Sequence, residues 1–236
     1  MGERVSVHRG GSDVKLRGAR CVVAAFVCVW LLAPAAVAEE LVPLKLDLPK
    51  PEIHGTRKDI RAPNLEKKDT VHPPVMVPKD VVNLALGKPV KSSDNEPIIG
   101  DLEQITDGEK SGAEGNFVEL GPDLQWVQID LGRVCEVYAV AFWHYHSQER
   151  AYHDVVVQCA DDADFIETVR TLYNNDHDNS SGLGVGKDKA YVETNKGYSI
   201  DAKGVKTRFI RLYSNRNSSN DTNHYIEVEV YGRPAG

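Results

Sequence analysis

Apolar and polar positions alternate with period two through much of the chain beyond Asn83. Val127, Ile129 and Leu131 alternate with Gln128 and Asp130. Ile210 and Leu212 alternate with Arg211 and Tyr213, and Ile226, Val228 and Val230 alternate with Glu227, Glu229 and Tyr231. Successive strand side chains point to opposite faces, so each set predicts a strand with one face in a core. Val137 to Trp143 is a continuous apolar run, and Val155-Val156-Val157 is β-branched throughout, which suits the pleated surface of a sheet. Strands are predicted near 137–143, 154–159, 168–173, 190–195, 207–213 and 226–231, separated by loops rich in Gly, Asn, Asp and Ser. No long 3.6-period stretch follows residue 38. Many short strands with polar loops predict an all-β fold, an antiparallel sandwich or barrel. The span of roughly 150 residues from Asn83 onward is ample for one core.

The first 82 residues have a different character. Arg17 and Arg20 flank an apolar run from Cys21 to Leu32, and small residues follow from Ala33 to Ala38. Ala36-Val37-Ala38 fits a small-x-small cleavage site, so residues 1–38 are expected to be a signal peptide and the mature chain to begin at Glu39. The apolar run is short for a membrane span, which needs ~20 residues. Residues 39–82 hold seven of the twelve prolines among scattered charges. Proline fixes φ and removes a ladder donor, so a semi-extended linker is expected. Leu44, Leu46 and Leu48 alternate, and part of this linker is expected to lie on the following domain as an edge strand.

Charge narrows the partners. Without residues 1–38, 23 basic and 33 acidic residues remain, a net charge of −10. Such a chain repels phosphate backbones and anionic bilayers, so no nucleic acid is expected as a partner. No further apolar run reaches membrane-spanning length. Cys135 and Cys159 remain beyond the leader; either a bridge permitted by export or two small buried thiols fits them.

Several segments now suggest a family. Asn83-Leu84-Ala85-Leu86-Gly87-Lys88-Pro89-Val90 resembles the opening of discoidin domains, also called coagulation-factor C-type domains. Ile105-Thr106-Asp107-Gly108 is similar to their early Asp-Gly loop. Trp126-Val127-Gln128-Ile129-Asp130-Leu131-Gly132 resembles their most recognisable strand. Arg208-Phe209-Ile210-Arg211-Leu212-Tyr213 and Ile226-Glu227-Val228-Glu229-Val230-Tyr231-Gly232 resemble the last two strands. The matches run in family order across residues 83–232. The resemblance implies a domain over residues 83–236 that folds as a jelly-roll β-sandwich of the galactose-binding-like type. It implies binding of carbohydrate, phospholipid or protein through loops at one end, without catalysis. Two departures stand out. Residues 109–124 lack the usual Thr-x-Trp, and the loop 174–189 is long and polar.

The resemblance also implies a structural calcium ion between the Asp-Gly loop and the last strand. The corresponding residues are Asp107 and Glu227, with Ser111 and the carbonyl of Glu109 completing the expected ligands. Calcium takes six to eight oxygens, and a tight turn can aim several carbonyls inward. Glu227 alternates out of the Ile226/Val228/Val230 face, which frees its carboxylate to ligate. An ordinary turn and a solvated carboxylate would leave the same pattern.

Three loops carry recognition chemistry. They follow the first, third and fifth predicted strands from Val137 on, and antiparallel strands reverse each time, so all three are expected at one end. That end would gather Trp143, His144, Tyr145, His146, Arg150, Tyr152, Asn175, His177, Arg216, Asn217 and His224. Aromatic faces stack on the C–H patches of sugars, and amides and charged groups hydrogen-bond the hydroxyls. The expected ligand is therefore a carbohydrate or another cell-surface ligand, and histidine protonation is expected to tune its affinity between about pH 5 and 8. Polar loops that are merely solvated give a similar composition.

Other readings are weaker. His144-x-His146 with His153 could ligate zinc or copper in a metal-dependent enzyme, although hydrogen-bonded loop histidines are commoner. Gly182-Leu183-Gly184-Val185-Gly186-Lys187 fails as a phosphate loop, because Ser181 replaces the first glycine and Asp188 follows the lysine. Asp176-x-Asp178-x-Ser180 lacks the glycine and terminal glutamate of an EF-hand. The expectation is a secreted or periplasmic, non-catalytic binding module; the alternative is an envelope adhesion protein that grips protein.

Overall fold

The computed structural model describes residues 10–11, 39–52, 60–67 and 70–236. The expected signal peptide, apart from residues 10–11, therefore lies outside the described residues. The strands are β1 (Leu41–Pro43), β2 (Met76–Pro78), β3 (Val82–Asn83), β4 (Val90–Ser92), β5 (Val118–Pro122), β6 (Leu124–Trp143), β7 (Val156–Ala160), β8 (Arg170–Asn174), β9 (Tyr198–Asn215), β10 (Thr222–Tyr225) and β11 (Glu227–Pro234). One short 3-10 helix spans Leu102–Thr106. No helix among the described residues is long and apolar enough to cross a membrane.

The main sheet runs β3-β11-β6-β9-β7-β8, with β4 also paired to β6. Small sheets β5-β10 and β1-β2 complete the fold. Strand pairing is antiparallel throughout. The alternating residues behave as their pattern demands. Val127, Ile129, Val137, Val140, Ile210, Leu212, Val228 and Val230 enter one core with Phe142, Tyr152 and Tyr225. Strand β6 joins two segments that hydrophobicity alone separates. Its ladder with β9 shifts between Asp130 and Cys135, where Gly132 takes φ +85°, and again between Val137 and Ala139. Such bulges bend a strand and let one chain serve both sides of a core.

Two expectations change, and one pair of alternatives is decided. The strand expected near 190–195 is absent; Ala190 makes only an isolated parallel bridge to Leu65. The polar stretch Thr222–Tyr225, expected as loop, is β10 and pairs with β5. Cys135 and Cys159 are buried free thiols. They stand opposite Thr207 and Ile210 on β9, not opposite each other.

The described parts of 39–82 lie on the sandwich. Strand β1 precedes the leucine alternation and pairs with β2. Leu46 packs on the small cluster of Ala141, Trp143 and Ile226. The Asn195 amide donates to the Pro49 carbonyl at 2.8 Å, and the Asn64 amide donates to the Asp188 carbonyl at 2.8 Å.

Candidate functional site

The loops at the end of β6, β8 and β9 meet as the topology requires. Tyr152 bridges Asn217. The His153 amide donates to the Arg216 carbonyl, and the Asn215 amide donates to the His153 carbonyl. Asp154 joins all three loops: its Oδ2 accepts from Ser180 Oγ at 2.9 Å and Asn215 Nδ2 at 2.8 Å.

The meeting point is closed rather than open. Trp143, His144, His146, Arg150, Tyr152, Asn175, Asn217 and His224 are buried. Tyr145 is half-buried, and His177 and Arg216 are exposed. The expectation of one solvent-facing array is therefore corrected. Among the residues turned inward, Asn175 and Asn217 hydrogen-bond loop backbone groups. Asn175 Oδ1 accepts the Val155 amide at 2.7 Å. Asn217 Nδ2 donates to the Thr222 carbonyl at 2.9 Å, while its Oδ1 accepts the Ser219 amide at 2.8 Å. These amides are loop braces, as Asn side chains often are.

Five of the expected residues do converge. The His144 and Tyr152 rings stack with centroids 4.2 Å apart. The Arg150 guanidinium lies 4.8 Å over the Tyr145 ring. His224 is 6.0 Å from Tyr145 and 6.1 Å from Tyr152. Phe117 on the loop before β5 adds an aromatic face 4.8 Å from Tyr145 and 5.6 Å from His224. Glu193 lies beneath, its Oε1 2.7 Å from His144 Nδ1. Phe117 and Glu193 were not among the expected residues. Tyr191 and Glu193 stand at i and i+2 in a stretch whose sequence predicts a strand, and in a strand that spacing puts two residues on one face.

The polar tips of this cluster are incompletely paired. His144 Nε2, Arg150 Nε and His224 Nδ1 have no hydrogen-bond partner among the described residues. Burial, with the nearby Arg150 and His144, pushes the His224 pKa down to about 3. Burial also lowers His153, with help from Arg216. The His224 ring therefore stays neutral between pH 5 and 8 and cannot supply the expected pH tuning there.

The remaining expected residues lie apart. Trp143 packs with Ala141, Ile226 and Leu46, and its Nε1 donates to the Asn195 carbonyl at 3.1 Å. His146 Nε2 contacts the Lys110 carbonyl at 3.0 Å. His144, His146 and His153 do not form a three-ligand metal cluster. Among the described residues, the group with that spacing is Asp176, His177 and Asp178. Asp176 is committed to its own loop, where it accepts from Ser181 Oγ at 2.5 Å and from the Ser181 amide at 2.9 Å.

The Asp-Gly turn does meet the last strand. The Gly108 amide donates to Glu227 Oε2 at 3.1 Å, and Glu227 Oε1 is buried without a partner among the described residues. Burial pushes the Glu227 pKa up to about 9, and Glu229 and Asp107 add to the rise. The other expected ligands turn elsewhere. Asp107 Oδ1 accepts the Glu109 amide, and Ser111 Oγ accepts from Asn116. Lys110 Nζ lies 3.2 Å from the Gly108 carbonyl. An ammonium at a turn carbonyl, with one free carboxylate oxygen, is a poor fit to a calcium cage of six to eight oxygens.

No protein-family model matches the chain, and no curated protein matches it. Solved structures do. A family 89 glycoside hydrolase from Clostridium perfringens, in complex with GlcNAc-alpha-1,4-galactose, matches with a TM-score of 0.51 at 20% identity. The match covers 66% of this chain and 15% of that one. A family 89 glycoside hydrolase from the same organism, in complex with 2-acetamido-1,2-dideoxynojirmycin, gives a TM-score of 0.50 at 20% identity, with the same coverage of 66% and 15%. A Streptococcus pneumoniae fucose-binding module gives 0.45 at 20% identity, over 64% of this chain and 97% of that one. The chain thus spans a small part of the hydrolases it matches. What the likeness establishes is the fold, an antiparallel β-sandwich.

Proposed function

We propose that this chain is a non-catalytic carbohydrate-binding module, exported under the direction of residues 1–38, that holds its ligand at the loop end of the sandwich. The observation that carries the reading is the cluster of Tyr145, Arg150 and His224 beside Phe117. There an aromatic face and polar atoms without hydrogen-bond partners among the described residues lie together. Sugars ask for that combination: rings to stack on, and directed donors and acceptors for hydroxyls. The half-buried Tyr145 and Phe117 form the approachable side. The family 89 hydrolase, 15% of which matches this chain, was solved with its substrate GlcNAc-alpha-1,4-galactose, and a carbohydrate is the ligand class proposed here.

The test is a glycan array followed by calorimetric titration of the best ligand against wild type and Tyr145→Ala. Binding that the substitution weakens supports the site. Glycan binding indifferent to Tyr145→Ala moves the site elsewhere on the module. An array without a hit, together with saturable binding to an envelope protein, replaces the carbohydrate reading by the adhesion one.

A further inference from the structure

Glu227 and Glu229 stand two residues apart on β11, so their side chains leave the same face of the strand. Both are buried. A buried carboxylate such as Glu229 calls for a cation, because a buried charge persists only when paired and hydrogen-bonded.

Lys110 brings one. Its side chain reaches in from the Asp-Gly turn and is 9% exposed, beside a Glu229 side chain that is 6% exposed. Nζ donates to Glu229 Oε1 at 2.9 Å and to the Gly108 carbonyl at 3.2 Å. It also lies 5.6 Å from the Trp143 ring centroid. Glu229 Oε2 accepts from Tyr231 OH at 2.9 Å, which fixes the carboxylate in place. The Lys110 backbone is held as well, since its carbonyl contacts His146 Nε2 at 3.0 Å. The ammonium therefore has a carboxylate, a turn carbonyl and an aromatic face around it. An anionic oxygen and a turn carbonyl are the kinds of ligand a hard metal ion would take. A solvent-facing lysine would snorkel its head outward, whereas this one is nine-tenths buried with its head inward.

We propose that the Lys110 ammonium is the resident cation between the Asp-Gly turn and β11, standing where a divalent ion would otherwise sit, so that the fold is complete without calcium. A second cation at the Gly108 carbonyl would meet the ammonium at close range, and like charges there repel. The covalent attachment of Lys110 makes its occupancy independent of metal concentration, unlike an ion whose stabilising effect follows mass action.

The experiment is thermal unfolding of the purified protein after chelation, with and without 5 mM calcium (a final concentration of about 5 mM far exceeds typical structural-site dissociation constants), alongside native mass spectrometry for bound metal. Wild type should melt at one temperature in all conditions and carry no stoichiometric calcium. Lys110→Met, which keeps the stem and removes the charge, should melt roughly 6 °C or more lower. A chelator-sensitive melting temperature, or one stoichiometric calcium in the native spectrum, overturns the proposal. So does a Lys110→Met protein as stable as wild type. If Lys110→Met does not fold, the wild-type melting and mass measurements decide alone.

Discussion

His144 Nδ1 lies 2.7 Å from Glu193 Oε1, and the two side chains are 0% and 1% exposed. This contact ties the end of β6 to a segment 49 residues onward that forms no strand. The Glu193 amide donates to the Arg150 carbonyl at 2.9 Å, so the same residue holds the loop that carries Arg150. Glu193 is thus a brace under the Tyr145/Arg150 cluster. Its replacement leaves a buried imidazole without its partner. Glu193→Ala is expected to lower unfolding free energy by about 3 kcal/mol or more, and Glu193→Gln, which keeps an acceptor, by less. Urea denaturation of the two variants checks the order; equal losses would mean that backbone contacts, not the carboxylate, do the bracing.

The fold was legible because its evidence is periodic. Val127/Ile129/Leu131 and Val228/Val230 declare a core face, and a core face needs no knowledge of the partner strand. Strand β10 was not legible, because Thr222, Asn223, His224 and Tyr225 have no apolar–polar alternation and a single β-branched residue, Thr222; their strand forms where β5 offers a ladder. The site was half legible. Topology brought the right loops together, but composition cannot tell a surface amide from a brace, and Asn175 and Asn217 are braces. Lys110 was invisible in the same way. Its role depends on two glutamates 117 and 119 residues downstream, the latter its direct partner across |i−j| = 119.

Tyr145 separates binding from folding. It is half-buried and stacks under Arg150, while the fully buried members of the cluster also support the core. Aromatic side chains at the centre of an interface dominate binding energy. Tyr145→Ala is expected to weaken glycan binding by ~1–3 kcal/mol with a small change in melting temperature. Arg150→Ala should lose affinity and stability together, since Arg150 is 4% exposed and its Nη2 donates to Gln148 Oε1 at 2.8 Å. Calorimetry and thermal melts on the same preparations give both readouts. Equal stability losses in the two variants would contradict the separation.

His224 makes stability depend on acid. Its folded pKa is pushed down to about 3, below the ordinary value of 6.5, because burial disfavours the cation beside Arg150 and His144. The unfolded chain therefore binds the proton first as pH falls. Stability should be independent of this group above about pH 6.5 and decline between about 6.5 and 3, by up to about 1.4 kcal/mol per pH unit. His224→Gln removes that contribution, so the variant's urea midpoint should fall less steeply over the same window. Parallel slopes for wild type and variant would show that His224 does not titrate with unfolding.

Asp176 controls the long polar loop after β8. Its carboxylate accepts the Asp178 amide at 3.3 Å, the Ser180 amide at 3.2 Å, the Ser181 amide at 2.9 Å and the Ser181 hydroxyl at 2.5 Å. The backbone of Asp176 closes the loop from the other side, where its carbonyl accepts the Gly186 amide. One side chain thus organises residues 178–181 without any sheet pairing. A metal ion bound through Asp176, His177 and Asp178 would have to take the same oxygens from those amides. Loop ordering and metal binding are therefore competitors, and the loop already holds the oxygens. Asp176→Ala should release the segment around Asn179 to limited proteolysis while leaving the β-sandwich signature in circular dichroism intact. Asp176→Asn keeps one acceptor oxygen and should be cut at an intermediate rate. Addition of zinc or calcium should not change the wild-type cleavage rate. Protection of wild type by either metal would show that the three residues bind an ion after all, and cleavage of Asp176→Ala no faster than wild type would remove the carboxylate from its organising role.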